Sequence, residues 1–308
     1  MPTLTPKRKI LNEAFVEFIA ALQGISTNRN YELYFRGHSS TVDTILPRIY
    51  RGKPYNIRSK TTPKKIIKSG LELLIDNEDQ IFREIILRSP QDFIGEISAI
   101  EKLVKMQHYS LPTRLLDITT SPLVALYFAC SDNKTNGEVV IFKVPKKEVK
   151  FFDGDAVSML ANISKMPSDF TLPSGQDKER LDKETFNVTF PMTTLLHEIR
   201  NEKVQFAPVM KQDDFNRVLP VKVKLNNNRI IRQNGAFFLF GINEEKTVPA
   251  EINPNWIHNK IKIKASDKND IKKDLSSLGI SESTLFPEME YQSKKVIEMY
   301  GYRQVNKV

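Results

Sequence analysis

The sequence predicts an α+β fold, a single mixed-sheet domain with flanking helices. Ile10 to Leu22 places Leu11, Ala14, Phe15, Phe18, Ile19 and Leu22 on one helical face, an amphipathic helix that must cover something, most simply a sheet. Tyr31-Glu32-Leu33-Tyr34-Phe35 and Glu138-Val139-Val140-Ile141-Phe142-Lys143-Val144 are apolar runs of strand length, the second ended by Pro145. Helical patterns and a polar loop lie between them, and no long Pro, Gly or Ser linker divides the chain. The expected organisation is an N-terminal helical cap over 1–29, the main domain over 30–300 and a tail over 301–308.

The elements follow in order. Gly24 ends the first helix, and the strand from Tyr31 delivers Arg36-Gly37-His38 at its C-terminal end. Residues 51–64 are basic and rich in turn formers, which predicts an exposed loop. Ile66 to Leu87 carries a long helical pattern, and a further helix is expected from Gly95 to Met106. Asp155 to Ile163 and Phe190 to Phe206 are helical in pattern. Val218 to Leu225 alternates as a strand, and Arg229 to Gly241 is a strand or short helix broken at Asn234-Gly235 and resumed as a buried strand from Ala236 to Phe240. Lysines alternate in Ile257 to Lys264 as on the solvated face of an edge strand, where they block strand addition. Helices from Asp267 to Leu278 and from Thr284 to Tyr300 close the chain.

Composition narrows the class. With 40% hydrophobic and 27% charged residues this is an ordinary globular chain. The single Cys130 excludes an internal disulfide and sits in an apolar helix as a buried, inert thiol, which suits a reducing, cytoplasmic setting. No apolar run approaches 18 residues, so no membrane partner is expected. The net charge of +9 is diffuse, and no aromatic residues interleave with the lysines to stack on bases. No metal-ligand spacing occurs, and His197 and His258 are expected as surface or satisfied histidines.

The densest chemistry lies between Gln107 and Pro122. These sixteen positions hold His108, Arg114, Asp117, two prolines and the run Thr119-Thr120-Ser121. Pro112 should stop the preceding helix near Gln107 or His108, while Thr120 or Ser121 caps the next one with Pro122 in its first turn. A polar loop between two helices is expected, with free N–H groups suited to a phosphate-bearing ligand. The alternative is structural, with Arg114 paired to Asp117 and the hydroxyls serving as caps. Gln233, beside the apolar strand at Ala236, either satisfies buried backbone groups or faces a ligand.

Phe35-Arg36-Gly37, Gln107-His108-Tyr109, Leu111 to Asp117, Ser121-Pro122 with Ala125 to Ala129, Arg232 to Phe237 and Thr284 to Glu288 together resemble the FRG-domain family, over about residues 30 to 300. Ser110 stands where that family usually has glycine, and Met289-Glu290-Tyr291 where a Leu-Asp-Gly-like run is usual. The family is mostly bacterial and associated with mobile elements and phage defence. More distantly, a strand ending in Phe-Arg-Gly, a hydroxyl run, an Ala-x-x-Phe-Ala helix and a following strand resemble the order of elements in ADP-ribosyltransferases. That resemblance implies a toxin-like, NAD-consuming or ADP-ribosylating effector with NAD as the small-molecule partner and a protein or nucleic acid as acceptor. The usual catalytic glutamate of that fold has no match, so Asp117, Gln233 or His108 would substitute.

Arg36, His108 and Asp117 are the candidate catalytic residues. Gly37, His38, Tyr109, Thr113, Arg114, Thr120, Ser121 and Gln233 are the candidate cofactor-binding residues, with no metal ligands. A non-catalytic nucleotide- or nucleic-acid-binding signalling module and a metal-independent RNA-processing hydrolase remain the alternatives.

Overall fold

In the computed structural model, residues 11–25, 29–41, 44–58, 66–72, 74–175 and 179–288 are described. The chain runs α1 (Glu13–Gln23), β1 (Tyr31–His38), β2 (Lys53–Arg58), β3 (Ile66–Glu72), α2 (Glu78–Arg88), α3 (Ala99–His108), β4 (Leu115–Thr119), α4 (Pro122–Ala129), β5 (Gly137–Pro145), β6 (Lys150–Phe151) and α5 (Asp155–Asn162). It continues through α6 (Lys183–Val188), α7 (Phe190–Arg200), β7 (Val218–Lys222), α8 (Asn228–Arg232), β8 (Gly235–Phe240), β9 (Ile242–Asn243), β10 (Glu245–Pro249), β11 (Ile257–Ile263), α9 (Lys268–Ser277) and α10 (Glu282–Leu285).

One seven-stranded sheet in the order β11-β5-β1-β4-β8-β7-β6 forms the body, antiparallel except for the β6–β7 pair. The expected α+β class is what the chain adopts. Because strand side chains alternate between faces, the sheet sorts its apolar residues in two directions. Tyr34, Leu116, Ile118, Phe142 and Phe238 pack on one face with Ile49, Ile75 and Trp256. The other face carries the helices, in two separate clusters. Phe35, Val139 and Ile141 lie under α1, α4 and α9, whereas Leu115, Phe237 and Leu239 lie under α3, α5 and α7.

The seam between those clusters follows the junction of β1 and β4. β1 pairs along its whole length with β5, from Tyr31 opposite Pro145 to His38 opposite Glu138. Its pairing with β4 is a single register, Phe35 opposite Thr119, after which the strands part. Gly37 lets α4 press onto β1 beside that split: a β-carbon there would stand 1.9 Å from the Ala125 carbonyl oxygen and 2.6 Å from the Ala129 nitrogen.

Four expected elements are corrected. The central stretch is not a loop between two helices, because Leu115–Thr119 is an inner strand of the sheet, paired with β8. The helical pattern from Ile66 begins instead as β3, which pairs with β2 in the segment expected to be a loop, and helix starts only at Glu78. The helix from Phe190 ends at Arg200, and a short helix closes at Leu285, before Pro287. The rest of the expected Thr284–Tyr300 helix, with Met289-Glu290-Tyr291, lies outside the described residues. The edge-strand reading holds, with β11 outermost and Lys260 and Lys262 exposed. Cys130 is buried, and burial pushes its thiol pKa up to about 12.

Arg114 anchors the far side of β4. Its side chain is fully buried and paired with Glu78, with Nε donating at 2.9 Å, while Nη1 donates to the Phe240 carbonyl at 3.2 Å. Lys246, also fully buried, lies 3.5 Å from the same carboxylate. Arg114→Met leaves Glu78 with Lys246 as its ion-pair partner but removes the paired guanidinium and the hydrogen bond to the Phe240 carbonyl, so it should lower unfolding free energy by about 3 kcal/mol. Urea unfolding measures this, and a change under 1 kcal/mol would contradict a structural role.

Candidate functional site

A cleft of about 200 Å³ opens where β1 and β4 part. Arg36 and Gly37 come from β1, Asp117 and Thr119 from β4, Gln107 and His108 from the end of α3, and Arg229 and Gln233 from α8 and its cap. Val124 and Phe128 of α4 and Phe237 of β8 supply apolar wall. Sequence neighbours could not have shown this convergence, because β8 and α8 arrive more than a hundred residues after the central motif.

Arg36 spans the split. Its Nη1 donates to the backbone carbonyl of Asp117, a group that loses a ladder partner where the strands diverge. Its Nε donates to Nε2 of His38 at 2.8 Å. Since guanidinium nitrogens only donate, His38 Nε2 must accept and the ring proton must sit on Nδ1, 3.3 Å from Oε1 of Glu138. This relay, Arg36 to His38 to Glu138, fixes the guanidinium plane. Glu138 alone would favour imidazolium, but burial and the cations Arg36, Arg51 and Lys260 outweigh it and lower the His38 pKa to about 3.

Asp117 is held from the other side. Thr113 Oγ1 donates to Gln107 Oε1 at 2.8 Å, and Gln107 Nε2 donates to Asp117 Oδ2 at 2.8 Å. Thr113 is itself buried and accepts from the Leu115 N–H, so the carboxylate hangs from a hydrogen-bonded chain that starts in the backbone. Its side chain stays open to the cleft. Gln107, Thr119 and Arg229 are polar contributors outside the candidate set; Gln107 and Thr119 lie inside the singled-out stretch, and Arg229 carries no local signal.

His108 lies at the C-terminal end of α3 with its ring 6.3 Å from that of Phe237. Its Nδ1 is buried without a hydrogen-bond partner among the described residues. Burial and the nearby Arg229 guanidinium lower its pKa, against the opposing pull of Asp117 and Glu288, so the ring is neutral at pH 7. A neutral imidazole with an unmatched nitrogen can accept or relay a proton.

The remaining candidates fall in other places. Arg114 immediately precedes β4, and its side chain turns to the buried Glu78 and does not line the cleft. Ser121 caps α4 by accepting from the Val124 N–H at 3.4 Å, and Thr120 Oγ1 donates to the Asn234 carbonyl at 3.5 Å. Neither lines the cleft; Thr119 does, donating to the Gln233 carbonyl at 2.6 Å. Gln233 donates its amide to the Leu285 carbonyl at 3.2 Å, and the residue also lines the cleft. Tyr109 turns away into a neighbouring cavity. Ser110 holds φ 66°, the left-handed region that suits glycine. Among the described residues no group of three His, Cys, Asp or Glu side chains converges as a metal site.

Fold and cleft define a mixed-sheet protein with a partly polar pocket at a split between central strands. Residues 31–138 match the FRG domain. The match includes Arg36, His38, His108, Asp117 and Glu138, whereas Arg229 and Gln233 come from beyond it. No curated protein and no solved structure matches the chain. No helix among the described residues is long and apolar enough to cross a membrane.

The His38 relay has a pH consequence. The unfolded chain protonates this ring near 6.5, the folded chain only near 3, so below 6.5 the unfolded state binds more protons. Stability contributed by keeping the ring neutral is whole above pH 6.5 and is lost as pH falls towards 3. Urea unfolding from pH 7 to 4 should therefore show a shallower decline for His38→Gln than for the parent chain, and parallel curves would contradict the assignment.

Proposed function

We propose that the cleft between β1 and β4 binds NAD and that the protein consumes it, transferring or releasing the ADP-ribose part. The observation that supports this reading is the convergence of a permanent cation, an oriented carboxylate and a neutral imidazole on one cleft. The donor set suits such a ligand: Arg36 and Arg229 for phosphate or ribose oxygens, and the imidazole of His108 in the cleft wall for a hydroxyl or water. NAD, when bound, supplies the glycosidic bond to be broken, with nicotinamide leaving with the bonding electron pair.

The chain's own groups divide the remaining work. Asp117, held by Gln107, carries the negative charge that opposes positive charge developing on the ribose. In this reading it substitutes for the glutamate of the resembling transferases, which has no match in this sequence. His108 accepts the proton of the incoming hydroxyl or water, which its lowered pKa permits at neutral pH. Arg36, held in orientation by His38, positions the phosphate-bearing part. The bacterial stress or phage-defence setting suggested by the family belongs to this same proposal.

Thermal shift and nicotinamide release with NAD test the reading. The parent chain should be stabilised by NAD and release nicotinamide. Arg36→Lys, which keeps the charge and loses the planar fork, should lose most of the stabilisation. His108→Ala should retain binding while release falls by about 10²–10⁴-fold, the usual contribution of a general base. Binding without release would favour the non-catalytic module, and neither binding nor release would overturn the proposal.

A further inference from the structure

Beside the cleft lies a second cavity of about 190 Å³, and His108 is a wall of both. Its interior is apolar at Ile100, Val104 and Phe152. Its charged groups come in matched pairs, Glu96 with Lys105 at 3.2 Å and Glu101 with Lys224. The Lys224 ammonium also stands 4.9 Å from the centre of the Phe152 ring. Each carboxylate on this wall thus has its ammonium, and an added anion would have to break a pair; a neutral group would not.

The rim offers a different chemistry. Tyr109 is 67% exposed and Asn226 is exposed, a stacking face and a side-chain amide at one opening. A flat heterocycle with hydrogen-bonding edges matches that combination, since bases stack on aromatic faces and asparagine pairs with the N6 and N7 edge of adenine. Size points the same way. Each cavity falls short of the roughly 300–1,000 Å³ that holds a drug-sized ligand, so a dinucleotide needs both. Arg229, which lines the first cleft and donates to the His108 carbonyl at 3.4 Å, places a cation near the shared wall, where phosphates would cross.

We infer that the second cavity is an adenine subsite, with Tyr109 stacking on the base and Asn226 reading its edge. This deepens the NAD reading of the neighbouring cleft and rests on it for the dinucleotide, although the subsite itself is defined for any adenine nucleotide. It also gives Tyr109 a position separate from the reacting groups.

The two halves of the dinucleotide separate the claims. Calorimetric titration with AMP, nicotinamide mononucleotide and NAD is compared between the parent chain and the double variant Tyr109→Ala/Asn226→Ala, both changes lying at exposed positions. AMP should bind the parent chain and lose about tenfold or more in affinity in the variant, the scale of one stacked base and its edge contacts. The ratio of NAD affinity to mononucleotide affinity should fall by a similar factor. Failure of AMP to bind, or AMP binding that the variant leaves unchanged, overturns the subsite. AMP binding lost in the variant, with no binding of NAD or the mononucleotide, would sustain the subsite and sink the NAD reading. Mononucleotide and NAD binding equally well, without AMP, would do the reverse.

Discussion

The contact between the Arg36 guanidinium and the Asp117 backbone carbonyl bridges the two central strands where their pairing stops. An unpaired carbonyl inside a sheet is costly unless something satisfies it, and the Arg36 guanidinium does so while its Nε donates to His38. The gap that opens the cleft and the contact that stabilises the gap therefore lie at the same place. The Phe-Arg-Gly sequence has a physical division of labour. Phe35 fills the core under α4, Gly37 lets α4 approach, and Arg36 points the other way, to be held by His38 and Glu138.

Two hydrogen-bonded chains meet across this split. One descends from Glu138 through His38 to Arg36, the other from the Leu115 N–H through Thr113 and Gln107 to Asp117. Each terminates in a charged group whose orientation is fixed by neighbours and not by its own rotamer alone. Preorganisation of this kind is what electrostatic catalysis requires, because the donors and acceptors do not reorganise as charge develops. His108 differs, since it faces both cavities with one nitrogen unmatched.

Much of the frame was legible in the residues. Helical faces, the aromatic strand at Tyr31, the β5 run and the lysine-patterned edge strand follow from periodicity and charge. The central motif was located but its shape was not. Leu115-Leu116-Asp117-Ile118-Thr119 is only five residues long, follows a proline and precedes hydroxyl residues, so local signals favour a loop. Its identity as a strand depends on pairing Leu115 with Leu239, a contact that no local window contains. That omission also hid the fate of Arg114. The arginine immediately precedes the strand and goes to Glu78 in the core instead of joining the cleft. Arg229 could not have been assigned from spacing at all, since only the fold brings α8 to the end of α3.

A crystal structure of the protein soaked with ADP-ribose, the product fragment that retains both phosphates, tests the central claim most directly. The account predicts density running from the β1–β4 split past His108, with phosphate oxygens within hydrogen-bonding distance of Arg36 or Arg229. ADP-ribose bound elsewhere on the molecule, or a cleft left without it at saturating concentration, would contradict it.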